Sequence, residues 1–201
     1  MDKVKFFIQQ SWLLIAASLS FGVLLAVTNA ALTPRIEQNK KDKINDRMKQ
    51  LVPQAEGFDV YRTVELSEGR AYPEKVSIYK GLTAGGETAG YAFIARGSGF
   101  ADKIELIIAV DEDFDSLSGY KVLASNETPG FGDKIKNDYL QGQFKGAPAG
   151  ELLLKKTGAA SAIDEEIVAI TGATVSSQAV VDIFNNYVLQ IKDQLNSKGS
   201  E

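Results

Sequence analysis

The pattern of apolar and polar positions changes character several times along this 201-residue chain. "WLLIAASLSFGVLLAVTNAAL", Trp12 to Leu32, carries no charge over 21 residues. At a rise of about 1.5 Å per residue, such a helix covers roughly 30 Å, the thickness of a bilayer's hydrocarbon core. The segment therefore reads as a transmembrane anchor, 1–33. The rival reading is a cleaved signal peptide, for which Thr28-Asn29-Ala30 offers small residues. Signal cores run only about 7–15 residues, which favours the anchor. Next comes "PRIEQNKKDKINDRMKQLVP", a polar helix with a thin stripe of Ile36, Ile44, Met48 and Leu51. Pro34 suits its first turn, so residues 34–53 read as a helical stalk.

Beyond residue 54 the period shortens. "FDVYRTVEL", "KVSIYKGL", "GYAFIARG", "IELIIAVD" and "GYKVLAS" are short β-branched or aromatic runs separated by turn residues. "DKIKNDYLQGQF" (133–144) predicts a short helix with Ile135, Tyr139 and Leu140 on one side, and "ELLLKK" (151–156) another strand. Val180, Phe184, Tyr187, Val188, Ile191 and Leu195 recur at spacings of three and four, which predicts a final amphipathic helix. Strands followed by packing helices make residues 54–201 an α+β domain with a largely antiparallel sheet and flanking helices, behind one N-terminal transmembrane helix.

Composition narrows the chemistry. The net charge of −4 offers no electrostatic reason to bind nucleic acid. With no cysteine, disulfides, cysteine-ligated clusters and thioether-linked haem are excluded; with no histidine, the commonest metal ligand and general base are missing. Redox chemistry here requires a bound organic cofactor. "DEDFDSLSG" (111–119) alternates aspartates, but Ser116 and Val122 stand where a calcium loop wants Gly and Glu, so it reads as a hairpin turn.

Two stretches exceed what a turn or a cap needs. In "SNETPGFGDKI" (125–135), Pro129-Gly130 is a type II pair. Glu127, Thr128, Gly132 and Lys134 surround it, and Phe131 between glycines offers a flat apolar surface. In "AITGATVSSQAV" (169–180), Ser176 or Ser177 can cap the last helix. Gly172 and Ala173 keep side chains out of the way just before its N-terminus, a place where a phosphate is stabilised, and Thr174 puts a hydroxyl at the same spot. Gly97 and Gly99 before Phe100 are a further candidate for close ligand approach.

"TGATVSS" resembles the flavinylation motif of the FMN-binding domain shared by two membrane proteins: RnfG of the Rnf electron-transport complex and NqrC of the sodium-pumping NADH:quinone oxidoreductase. "ETPGFG" is similar to their ETPGLG loop, and "GYAFIARGSGF" to their glycine-aromatic strand. Motif order, leading anchor and length agree across nearly the whole chain, and the length favours the RnfG side of the family.

The resemblance implies a membrane-anchored electron-transfer flavoprotein subunit, not an independent enzyme. It implies FMN held covalently by a phosphoester to the threonine matching Thr174. A flavin transferase would supply that FMN from FAD, releasing AMP. Thr171, Gly172, Ala173, Val175, Ser176 and Ser177 would form one side of the flavin site. Glu127, Thr128, Pro129, Gly130, Phe131, Gly132 and Lys134 would form the other, with no metal. Partners would be the other membrane subunits of the complex. The N-terminus would be cytoplasmic and the domain extracytoplasmic, at a bacterial or archaeal inner or plasma membrane. The chain departs from the motif at Val168, where the family usually carries aspartate; Asp164, Glu165 and Glu166 lie nearby but out of register. The alternatives are the same domain in another respiratory complex and a pilin-like envelope protein, although "MDKVKFFIQQSW" lacks a glycine-ended leader.

Overall fold

The computed structural model describes residues 2–67 and 73–197. The chain divides into two compact units, Met1–Lys43 and Ile44–Glu201.

Helix α1 runs over Asp2–Leu51 with Pro34 inside it. The sequence pattern places Pro34 in the first turn of a separate stalk helix; in the structure it is interior. It has no N–H for the carbonyl of Ala30, and the turns on either side carry the helix through that single loss. In the first unit, the hydroxyls of Ser18, Thr28 and Thr33 donate to the carbonyls of Leu14, Leu24 and Asn29 at 2.7–2.8 Å. Each is thus satisfied within its own helix, as a hydrocarbon environment demands. This helix is long and apolar enough to cross a membrane.

In the second unit, five strands form an antiparallel meander: β1 (Gly57–Leu66), β2 (Glu74–Leu82), β3 (Thr88–Ser98), β4 (Lys103–Val110) and β5 (Leu117–Ser125), paired in that order. All five expected strands are present. Because side chains alternate across a strand, the sheet offers two faces. One face carries Ile78, Phe93, Ala95, Leu106 and Ile108 into the main core against α3 (Thr174–Ser197), through Val180, Phe184, Tyr187, Val188 and Ile191. The other carries Ala92, Ile107 and Ala109 against Met48, Leu51 and Val52. The later part of the stalk's thin apolar stripe, Ile44, Met48 and Leu51, is therefore part of a second, smaller core, while Ile36 is exposed.

The segment 133–144 differs from the single helix expected. It is a 3-10 turn (Gly132–Lys136) followed by α2 (Asp138–Phe144). The break at Asn137 changes the phase, so Ile135 and Leu140 are buried while Tyr139 is exposed. Strand β6 (Leu153–Lys155) pairs in parallel with β7 (Glu166–Val168), a strand too short to leave a periodic signal.

Two buried or half-buried amides fasten this pair. Gln143 accepts from Val168 N–H at 2.7 Å and donates to Val168 O at 3.1 Å. Asn185 on α3 accepts from Leu152 N–H and donates to Leu152 O, both at 2.9 Å. Backbone groups that the small sheet leaves unpaired are thereby satisfied. The segment from Val168 into α3 is held from both sides.

Candidate functional site

Two glycine turns meet beside the start of α3. In the first, Phe131 N–H donates to Thr128 O at 3.1 Å, with Gly130 at φ +79°. In the second, Ala173 N–H donates to Ile170 O at 2.9 Å, with Gly172 at φ +80°. Each puts glycine at the third position, where a type II turn requires positive φ. The first sets Phe131 outward, 59% exposed. The second delivers the chain into α3 at Thr174.

Between them lies a cleft of about 480 Å³, lined by Thr128, Phe131, Gly132, Gly172, Ala173, Thr174, Val175 and Ser176, together with Phe100. That volume falls within the roughly 300–1,000 Å³ usual for small-molecule sites. Phe100, Phe131 and Val175 are large apolar side chains left well exposed here, which marks a surface made to be covered. At one end the N–H groups of Thr174, Val175 and Ser176 begin α3. The helix's own first bond starts with Ser177 N–H to Ala173 O at 2.8 Å, so those three amides have no partner within the helix. An anion is stabilised there. The structure thus sets a hydroxyl, an anion-binding helix end and two aromatic rings around one space, a set that fits a phosphorylated, flat, aromatic cofactor.

Not every residue expected at the site lines it. Thr171, Pro129 and Gly130 are exposed in the two turns. Lys134 stands at the margin, its Nζ 5.9 Å from the centre of the Phe131 ring and 3.4 Å from Thr171 O, to which it donates. Neither Ser176 nor Ser177 is the expected cap. Since α3 begins at Thr174, both lie inside its first turn. Ser177 accepts from Ile170 N–H at 3.3 Å and donates to Ala173 O at 2.9 Å, fixing the turn. Ser176 donates to Glu127.

Glu127 is buried, 5% exposed, and does not line the cleft. Burial pushes its carboxyl up. The hydrogen bonds from Ser176 and the Ala101 amide, with the nearby amides of Asp102 and Phe100, outweigh that and hold it below the ordinary glutamate value.

The glycines before Phe100 serve packing. A methyl group at Gly97 would strike Ile183, and one at Gly99 would lie 2.7 Å from Asp102 O and 2.8 Å from Ile104 Cδ1. Phe100 itself belongs to the cleft; its signal in the sequence is an aromatic residue stranded in a glycine-rich turn. Gln143 and Tyr120 leave no such signal. Tyr120 is buried and donates to Ile135 O at 2.7 Å, which seats the 3-10 turn after Phe131. Burial drives its hydroxyl far above the ordinary tyrosine value, so it stays a donor. Val168 is buried in β7, an apolar position that suits valine.

A larger cleft of about 830 Å³ lies beside the end of α1 and α2, lined by mixed charges such as Lys121, Asp138 and Lys145. It has no exposed aromatic side chain. The smaller cleft has the chemistry.

The family model of the FMN-binding domain matches residues 99–189, which include both turns and the cleft. The G-type component of the ion-translocating oxidoreductase complex of Methanosarcina acetivorans is 30% identical over 181 residues, covering 90% of this chain and 92% of that protein. Its counterpart in the proton-translocating ferredoxin:NAD(+) oxidoreductase complex of Clostridium ljungdahlii is 30% identical over 173 residues, covering 85% and 83%. Among solved structures, NqrC of Shewanella oneidensis shares the fold with a TM-score of 0.55 at 19% identity, covering 73% of each chain. The corresponding component of the Na(+)-translocating NADH-quinone reductase of Parabacteroides distasonis does so with a TM-score of 0.53 at 19% identity, covering 79% and 95%. With 30% identity sustained over nearly the full length of a curated relative, the chain belongs to the RnfG family of ion-translocating oxidoreductase components.

Proposed function

We propose that this chain is a membrane-anchored electron-transfer subunit that carries FMN as a phosphoester on Thr174 and passes electrons within an Rnf-type complex. The observation that carries this reading is the placement of Thr174 in the same cleft as Phe100 and Phe131.

Attachment is a group transfer. The Thr174 oxygen would form a bond to the flavin-side phosphorus of FAD, the bond from that phosphorus to the AMP oxygen would break, and the threonine proton would pass to the departing AMP. A flavin transferase conducts the step and AMP departs. The chain's own part is to present Thr174 at the edge of a turn kept clear by Gly172 and Ala173. The phosphoester's charge then rests on the amides that open α3. Bound flavin supplies reversible electron uptake, a chemistry no side chain of this protein offers. Phe100, Phe131 and Val175 would cover the ring and keep water from it, while Lys134 places a positive charge at the margin.

The 21 uncharged residues anchor the subunit, with the N-terminus cytoplasmic and the domain outside, and the other subunits of the complex are its partners. Val168, in place of the usual motif aspartate, is buried. Recognition by the transferase here rests on the exposed turn around Thr171 and Gly172.

The intact mass of the full chain, expressed with and without a flavin transferase, tests the reading. A gain equal to FMN minus water that disappears in Thr174→Val is the expected result. An unchanged mass, or the same gain in the valine variant, would defeat it.

A further inference from the structure

Three separate segments build the cleft: the β3–β4 turn with Phe100, the loop with Phe131, and the first turn of α3 with Thr174. All three converge on one side chain. Glu127 Oε1 accepts the N–H of Ala101, the residue after Phe100, at 2.9 Å. Oε2 accepts the hydroxyl of Ser176 at 2.5 Å. Glu127 itself opens the Phe131 loop.

The glycines record how closely the backbones approach. A methyl group at Gly132 would stand 2.7 Å from Ser176 Oγ and 2.9 Å from Glu127 Cβ; at Gly99 it would meet the Glu127 carboxylate. With glycine at both positions, the two neighbouring segments close over the group without a clash. Donors from two other segments, the Ala101 amide and the Ser176 hydroxyl, meet on one buried carboxylate, more than a turn needs. A buried carboxylate so surrounded holds its donors in place, because releasing any of them leaves a buried polar group unpaired.

We infer that Glu127 is the positioning residue of the flavin cleft: it sets the Phe100 turn, the Phe131 loop and the Thr174 helix end in mutual register, and it does not touch the cofactor. The inference rests on the flavin reading of the cleft for its consequence, but not for its geometry.

The side-chain chemistry predicts an unusual order among substitutions. Glutamine has glutamate's shape. Its oxygen can accept from the Ala101 amide while its NH2 donates to Ser176 Oγ, since a hydroxyl accepts as readily as it donates. Aspartate keeps the charge but is one methylene short of bridging both sides. Alanine bridges nothing. Register, not charge, is therefore what glutamine preserves and aspartate loses.

The test uses the full chain in detergent with Glu127→Gln, Glu127→Asp, Glu127→Ala and Ser176→Ala. Hydrogen exchange is followed over 98–102, 127–134 and 171–177 in protein without flavin, and visible circular dichroism in protein matured by the transferase. In Glu127→Ala and Glu127→Asp, exchange should rise roughly ten- to a hundredfold in all three segments, as expected when a hydrogen bond to a charged group is lost. The dichroism of the bound ring should collapse. Glu127→Gln should stay near the parent in both, and Ser176→Ala should loosen 127–134 and 171–177 while sparing 98–102.

If glutamine disrupts as much as alanine, or if only 127–134 loosens, the inference is wrong. If the alanine variant fails to fold, the comparison of glutamine with aspartate still decides. Absence of attached flavin in the parent would count against the proposed function, while exchange in the unflavinylated protein would still judge Glu127.

Discussion

Gly172 lies against Phe131: a methyl group in place of its α-hydrogen would stand 3.8 Å from Phe131 Cδ1 and 3.8 Å from Lys134 Nζ. Two motifs far apart in the chain thus share one surface, and both line the same cleft. If Phe131 and Phe100 cover the flavin, Phe131→Ala and Phe100→Ala should keep attached FMN, because the bond forms at Thr174. They should shift its absorption maxima and reduction potential as the ring becomes wetter. Phe131→Leu should be mild, since leucine restores most of the apolar cover. Spectra and potentials identical to the parent in both alanine variants would remove these residues from the site.

Gly172 and Gly132, both lining the cleft, should fail for different reasons. Gly172 has φ +80° and ordinary contact distances around it, so the obstacle there is the backbone. Gly172→Ala should cost about 1–2 kcal/mol, lowering Tm by a few degrees for a domain of this size. Gly172→Asn should recover part of that, because asparagine tolerates the left-handed region. Gly132 has no positive φ, and its obstacle is the crowd of Ser176 and Glu127. Gly132→Ala should therefore be the worse variant, and asparagine there should be no better than alanine. Thermal melts of the four proteins give the ranking, and a partial rescue at both positions would contradict it.

The sheet and the last helix are legible in the sequence because their apolar residues keep period two and period three to four. The two small turns are legible because glycine and proline leave few alternatives. What cannot be read there is decided by contacts between distant segments. Gln143 looks like a surface amide until Val168 is placed beside it. Pro34 looks like a helix start because the local signal is the same for a start and for an interior proline. Glu127 looks like a ligand contact, since a carboxylate next to a glycine loop commonly is one. That its acceptors are filled by Ser176 and the Phe100 turn depends on segments distant from it in the chain.

The smaller core makes a prediction about where the soluble domain begins. Met48 is wholly buried, and Leu51 and Val52 nearly so. A protein starting near Pro34 keeps all three and should be soluble and accept flavin. One starting at Pro53 loses them and uncovers Ala92, Ile107 and Ala109. Losing a buried Met or Leu side chain typically costs about 2–5 kcal/mol, enough to threaten a domain of ordinary stability. Equal urea midpoints for the two proteins would show that α1 contributes nothing to the fold of the domain.

Acid should act through Glu127. Its carboxyl sits below the ordinary value near 4.5 in the folded protein, because the hydrogen bonds from Ser176 and the Ala101 amide, with the amides beside it, overcome the opposing effect of burial. A group whose folded pKa is depressed contributes stability that is fully present above its unfolded pKa and is lost as pH falls through the folded one. At neutral pH the contribution is complete. Below about pH 4.5 the unfolded chain takes up the proton first, so stability declines, and the decline ends once the folded protein is protonated too. Glu127→Gln has no proton to bind there. It keeps the register of the cleft but not the charge-assisted part of the bonds, so it should melt only slightly below the parent at pH 7 and should lose less on acidification, and the two curves of Tm against pH converge. Parallel curves through this range would mean that protonation of Glu127 contributes nothing to the domain's loss of stability in acid.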